Sequence, residues 1–451
     1  MAVLTLITLS YYLLTLAATQ TTYGAGFMNA RWLGLGALLV ASGFYWFTSK
    51  QWKKPVPEKY NLMVLMALCL TSISIITAEN PLYSGLRWLS FVLLLFSLVI
   101  FIRESFTAKQ IHYTLLFVKI LIAALLLVSW MKPLSPVLLK NSELYRGSFG
   151  SSNAMGQVAA IGSLLYLHGI LTGKKRWLKL AEGGMACLAL WLTWSSGARS
   201  AMVAFIVGIC LMNYFYRGRI QTKTFLAVLC MALLAVVFPE VPARAKQFVL
   251  RIDTPGRSFS EEALKTRIPV WEAAWNGFQK RPLFGWGFGA DDSMSKEWEV
   301  RLKSLGTVKR DNVNDTLIAL EGTGIVGFLG YILLVVLAVK QFPTRRERWL
   351  LVRQHSPPYP GARTDAKQCN DHAISYIIAA SLIIMVQLDN TALSAGNFIS
   401  ACLWLFVSVA GAAKRAASAQ EAWYQRSRQQ ALQQQFRRAG APTIPSVSMR
   451  A

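Results

Sequence analysis

The chain has 451 residues, 54% of them hydrophobic and only 15% charged, with a mean hydropathy of +0.38. Together with repeated apolar runs of bilayer-spanning length, these values exclude an ordinary soluble domain and predict a polytopic membrane protein. A formal net charge of +25 raises the question of nucleic acid, but the basic residues cluster at helix ends and no basic and aromatic binding module is visible. Anionic lipid and glycolipid headgroups are the fitting partners, and no nucleic-acid partner is expected.

Twelve apolar runs predict an all-α bundle of about twelve transmembrane helices, at roughly 2–18, 31–48, 61–77, 86–102, 112–130, 153–171, 180–195, 199–216, 223–239, 314–340, 373–388 and 396–412. The first run lacks a basic n-region and is followed by another long run, so it reads as a retained helix. Several runs fall short of twenty residues, which implies tilt or broken ends.

Lys50, Lys53, Lys54 and Lys59 follow the second run, and Lys174, Lys175, Arg176 and Lys179 follow the sixth. Arg217, Arg219 and Lys223 follow the eighth, and Arg345, Arg346, Arg348 and Arg353 the tenth. All fall on one side, which by the positive-inside rule is the cytoplasm, with both termini there. The chain then divides into spans one to nine (1–238), a large periplasmic loop (239–313), spans ten to twelve (314–412) and a basic cytoplasmic tail (413–451). The tail reads as a Gln-rich surface helix with a disordered end. No internal repeat is visible, which argues against an inverted-repeat transporter.

The six cysteines lie mostly inside apolar runs without metal-ligand or disulfide spacing, so they read as packed thiols. All four histidines (His112, His168, His355, His372) map to the cytoplasmic half, which leaves none for outer-face chemistry.

Basic residues on the outer face carry the chemical signal. Arg146 sits in Y-R-G-S-F-G-S-S-N-A-M-G, Arg199 in the turn W-S-S-G-A-R-S-A, and Arg267 at the head of an aromatic helix in the large loop. An arginine at such an edge needs a partner or ligand, and its planar fork suits phosphate; it also snorkels to headgroups. Trp271 and Trp275 on the aromatic helix have the rings to stack on sugars, although interfacial anchoring is the commoner role. Pro282 ends that helix and G-W-G-F-G forms an irregular turn, which lacks the βαβ context of a phosphate fingerprint. Asp311 and Asp315, where the chain re-enters the membrane, fit a general base for a sugar hydroxyl and equally fit helix capping.

Four motifs in order, R-G-S-F-G-S-S-N-A-M-G, W-S-S-G-A-R-S-A, R-I-P-V-W-E-A-A-W…R-P-L-F-G-W-G-F-G and N-D-T-L-I-A-L-E-G-T-G-I-V-G-F, resemble the bacterial O-antigen ligase and O-antigen polymerase superfamily. The resemblance covers about Tyr145–Leu333. It implies a helical fold of the second GT-C type in the bacterial inner membrane, and a metal-independent, inverting glycosyltransferase without a cofactor. The implied donor is a glycan on undecaprenyl pyrophosphate, and the implied acceptor a growing lipid-linked polysaccharide or lipid A–core. Carried over by motif, Arg199 and Arg267 contact the pyrophosphate, with Arg146, Asn153 and Asn314 as further substrate contacts. Ligases of this family typically open the tenth span with H-N-x-x-L-x-x-L, whereas this chain has V-N-D-T-L-I-A-L with Val313 at the histidine position. A valine cannot accept a proton, so the expectation moves towards a polymerase, which would work beside a chain-length regulator. A ligase with another base is the first rival, and a flippase of lipid-linked sugars the second.

Overall fold

In the computed structural model the described residues are 2–19, 21, 28–49, 58–131, 145–173, 175–215, 268–289, 315–341, 366–388, 397–412, 414–415 and 429–430. Among them the regular structure is helical, with one isolated antiparallel bridge between Thr21 and Phe149. The helices are α1 (Ala2–Thr19), α2 (Met28–Thr48), α3 (Glu58–Ile76), α4 (Pro81–Ser105), α5 (Ala108–Met131) and α6 (Ser152–Thr172). They continue as α7 (Arg176–Ser195), α8 (Arg199–Phe215), α9 (Ile268–Lys280), α10 (Asp315–Lys340), α11 (Ala366–Leu388) and α12 (Phe398–Ala412).

Five of these helices, α1, α4, α5, α6 and α10, are long and apolar enough to cross a membrane, and shorter apolar stretches lie in α3, α8, α11 and α12. Helices α2 and α7 also fall on predicted runs. The predicted run 223–239 and most of the predicted loop 239–313 lie outside the described residues, as does most of the tail. Large apolar side chains such as Ile7, Leu33, Val40, Phe44, Ile120 and Leu329 are exposed on the flanks of the bundle. In water such a surface is an aggregation liability; against lipid it is the expected finish.

The helices alternate in direction. Near the ends of α2 and α4, the Tyr45 hydroxyl donates to Ser105 O (3.4 Å), and Gln110 at the start of α5 donates to that hydroxyl (2.8 Å). At the other end of the bundle Thr21 pairs with Phe149, and Tyr145 N donates to Ser195 O (2.9 Å). Helices α1, α3, α5 and α7 therefore finish, and α2, α4, α6 and α8 begin, at this second end, called here the site end.

Helix α6 is the most enclosed of the five long apolar helices and packs against α5, α7, α8 and α11. Its small residues permit this, since lipid supplies no hydrophobic drive between helices and close van der Waals approach must serve instead. Gly162, for example, lies against Ile122 and Leu126 of α5, and Gly169 against Glu182 of α7. Local chemistry fixes where helices start: Asn80 accepts from Tyr83 N (3.1 Å) ahead of Pro81, and Ser151 accepts from Ala154 N (3.2 Å) ahead of α6. Helix α4 passes through a π-helical stretch, Phe96–Ile102, before it ends at Arg103–Ser105.

Helix α10 is broken. Gly324 adopts φ 64°, ψ −172°, a conformation outside the helical region and open to glycine. The break separates a short outer piece, which α9 covers, from a longer inner piece that packs along α3.

Candidate active site

Two features lie at the site end. The first joins the segments that carry Arg146 and Arg199. Tyr145 donates from its backbone to Ser195 O and from its hydroxyl to Ser129 O at the end of α5. Burial raises the pKa of that hydroxyl, which keeps it a donor. Ser148 and Ser129 share a hydroxyl contact of 2.7 Å, and Phe149 N donates to Arg146 O (3.0 Å). On the other side, the first turn of α6 presses onto the α7–α8 turn. A Cβ at Gly156 would collide with the Ser196 hydroxyl and the Ala198 methyl. Gly156 thus allows a close backbone approach, and the approach is between two arginine-bearing segments.

Arg146 is half-buried, and its Nε is buried without a hydrogen-bond partner among the described residues. Such an N–H costs free energy until something accepts from it. Arg199 is half-buried at the first position of α8, where its side chain has neighbours within bonding reach. Asn153, in the first turn of α6, is likewise half-buried beside this junction.

The second feature is the glycine turn. Residues 281–289 are inserted between the α3–α4 corner and the break in α10. Ile325 N donates to Pro282 O (2.9 Å) and Val326 N to Leu283 O (3.2 Å). In return Trp286 N donates to Glu321 O (3.2 Å) and Gly287 N to Gly322 O (2.7 Å). These are the amides and carbonyls that an unbroken helix would pair with each other at i and i−4, so the turn replaces the bonds that the break removes. Arg281 donates to Thr77 O (2.8 Å) and stacks on Trp286 (4.0 Å). Arg87 donates to Gly289 O (2.5 Å), and Ser84 to Phe288 O (3.1 Å).

Helix α9 lies on the outer piece of α10 through Trp271 and Ala274 against Leu317 and Ile318. Glu321 is buried there, and a Cβ at Gly277 would stand 2.5 Å from its Oε1. Trp271 Nε1 is buried without a hydrogen-bond partner among the described residues, whereas Trp275 is exposed and lies against Phe278 (5.3 Å).

Arg267, Asp311 and Asn314 lie outside the described residues. The backbone of Asp315 opens α10, and its side chain is outside them too. The sequence reading missed Arg87, Arg281 and Glu321 as parts of the site end. Arg281 and Glu321 sat inside quoted motifs without a role, and Arg87 is a lone cation in an apolar run, a signal that was available. His112 and His168 lie in the opposite half, as expected. Charges are not confined to helix ends, however: Lys119 of α5 and Glu182 of α7 form an ion pair within the helices, beside the Tyr166 ring.

Residues 184–332, about a third of the chain, match the family model described as O-antigen ligase. No curated protein matches the chain. The match begins within α7 and runs through the Arg199 turn, α9, the glycine turn and the broken helix, which include most of the site end described above. With its several apolar helices, this chain is a multi-pass membrane protein whose residues 184–332 are similar to the O-antigen ligase family.

Proposed function

We propose that the protein is an inner-membrane glycosyltransferase that polymerises undecaprenyl-pyrophosphate-linked repeat units into a surface or exopolysaccharide at the periplasmic face. The observation that carries this reading is the junction of the Arg146 and Arg199 segments at one end of the bundle. Arginine forks at a membrane edge suit a pyrophosphate that must be held and then released.

A hydroxyl of the incoming repeat unit attacks C1 of the growing chain's terminal sugar. The C1–O bond to the pyrophosphate breaks, its electron pair leaves with undecaprenyl pyrophosphate, and the configuration inverts. Arg199 and Arg267 stabilise the leaving charge, with Arg146 beside them. The hydroxyl proton passes to a carboxylate, Asp311 or Asp315. Asn153 and Asn314 contact the substrate, and Trp271 and Trp275 offer faces for sugar rings. The donor is already activated, so the step needs no nucleotide sugar. In this reading all twelve predicted runs cross the membrane, both termini are cytoplasmic, and the segment 239–313 is periplasmic.

A second reading is transfer to lipid A–core, favoured by the family description O-antigen ligase. Val313 in the histidine position weighs against it. Incubating purified protein with a lipid-linked repeat unit separates the readings. Lengthened lipid-linked product is expected; transfer only to lipid A–core overturns polymerisation. Transbilayer movement without glycosidic bond formation overturns the enzyme reading.

A further inference from the structure

The end of the bundle away from the candidate site holds a second cluster of charge. Arg103, at the end of α4, is buried, with its side chain only 7% exposed. Its guanidinium stacks on the Tyr60 ring at 3.8 Å and donates to Glu104 Oε1 at 2.9 Å. Arg415, just beyond α12, donates to the other oxygen of the same carboxylate. Two guanidinium groups therefore share one carboxylate. Lys340 and Lys414 stand close by, with Lys414 Nζ donating to Lys340 O (3.0 Å).

The same end gathers buried polar atoms that lack hydrogen-bond partners among the described residues. They are Arg103 Nε, Arg415 Nε, the Tyr60 and Ser105 hydroxyls and Trp46 Nε1. Each of these is an N–H or O–H that can donate. Buried donors normally find acceptors, and a buried guanidinium normally finds a full countercharge. Burial holds the Arg415 pKa down at about 10 although Glu104 lies against it. One carboxylate does not offset what two guanidinium groups lose on leaving water. Gly411 packs against Arg103, where a Cβ would stand 2.8 Å from Nε, and the Tyr60 ring covers a face of the same guanidinium, so the more exposed Arg415 offers the open side of the pair.

We propose that this end of the bundle binds a phosphate group, that of an anionic lipid in the adjoining leaflet, between Arg415, Arg103 and Tyr60. The phosphate accepts from Arg415 and the Tyr60 hydroxyl and supplies the negative charge that the two guanidinium groups lack. A lipid is the fitting source, because the cluster sits where apolar helices end, at headgroup level. The bound lipid ties the start of α3 and the end of α4 to the start of the tail.

The test uses full-length protein in neutral detergent, with phosphatidylglycerol retention read by native mass spectrometry and phosphatidylcholine as the control. Wild type should retain phosphatidylglycerol and melt at a higher temperature with it. Arg415→Gln, whose side chain is 30% exposed and tolerates change better than Arg103, should bind it about tenfold more weakly and lose the thermal shift. Arg176→Gln, an exposed cation at the same end, should behave as wild type. Equal retention by Arg415→Gln, or equal weakening by Arg176→Gln, overturns the site. Inorganic phosphate raising the melting temperature as much as the lipid, at the same concentration, overturns the lipid source.

Discussion

Gly287 N donates to Gly322 O at 2.7 Å, across a helix that Gly324 has opened. In a continuous helix that carbonyl would serve Val326, which instead turns to Leu283. The glycine turn is thus built into α10, and both are built against the α3–α4 corner. Gly287 has φ 119°, and a Cβ there would stand 2.5 Å from the Ala78 Cβ. Gly287→Ala should therefore cost roughly 2–3 kcal/mol through strain and contact together. A lowered melting temperature in detergent with product formation lost checks this; wild-type stability would show that the turn is not held as described.

Gly156→Val tests the junction of the two arginine segments. The side chain would force α6 away from Ser196 and Ala198. Polymerisation should fall by about a hundredfold, since small misplacements of positioned groups cost that much. Helical content by circular dichroism should stay near wild type. Full activity in this variant would remove the requirement for the junction.

Arg199→Ala and Arg146→Ala address the charge itself. Each should lower turnover by about 10²–10³ if its guanidinium stabilises the leaving pyrophosphate. Arg199→Lys should recover part of the loss, because charge returns without the fork. An Arg146→Ala variant as active as wild type would reduce that residue to lipid anchoring.

Val313→His restores the ligase pattern in the sequence. A gain of transfer to lipid A–core, measured with purified acceptor, would argue against polymerisation as the native reaction. An unchanged product spectrum is expected.

Lys119 and Glu182 give a prediction of stability alone. Their ion pair lies within the helices, part-buried on both sides. Removing one charge, as in Glu182→Leu, should destabilise by roughly 2–3 kcal/mol, while Lys119→Met with Glu182→Leu should cost less than either single change. Polymerisation should persist in the double variant. Its loss, with transbilayer movement of the lipid-linked sugar also lost, would favour a transport role for the pair.

Much of the site end was legible in the chain. Arg146 and Arg199 announced themselves as cations beside glycines in an apolar context, and Pro282 with G-W-G-F-G announced the end of α9 and an irregular turn. Arg87 was harder to see, because its partner is a carbonyl about two hundred residues away. Glu321 reads from sequence as one polar residue in a helical run, and nothing local says that it is buried beside Gly277.

Hydropathy, charge placement and motif order follow from composition and short-range spacing, and from them alone come the helical membrane bundle, the alternation of its runs and the resemblance to the O-antigen ligases. Tertiary structure decided how the motifs meet. It closed α6 onto the Arg199 turn, traded the hydrogen bonds of α10 for those of the glycine turn, and set Arg103 and Arg415 around one carboxylate at the far end. Each of these depends on backbone and side-chain groups far apart in the chain. Their pairing is dictated by the need to satisfy polar groups away from water, and no local pattern records which distant partner does so.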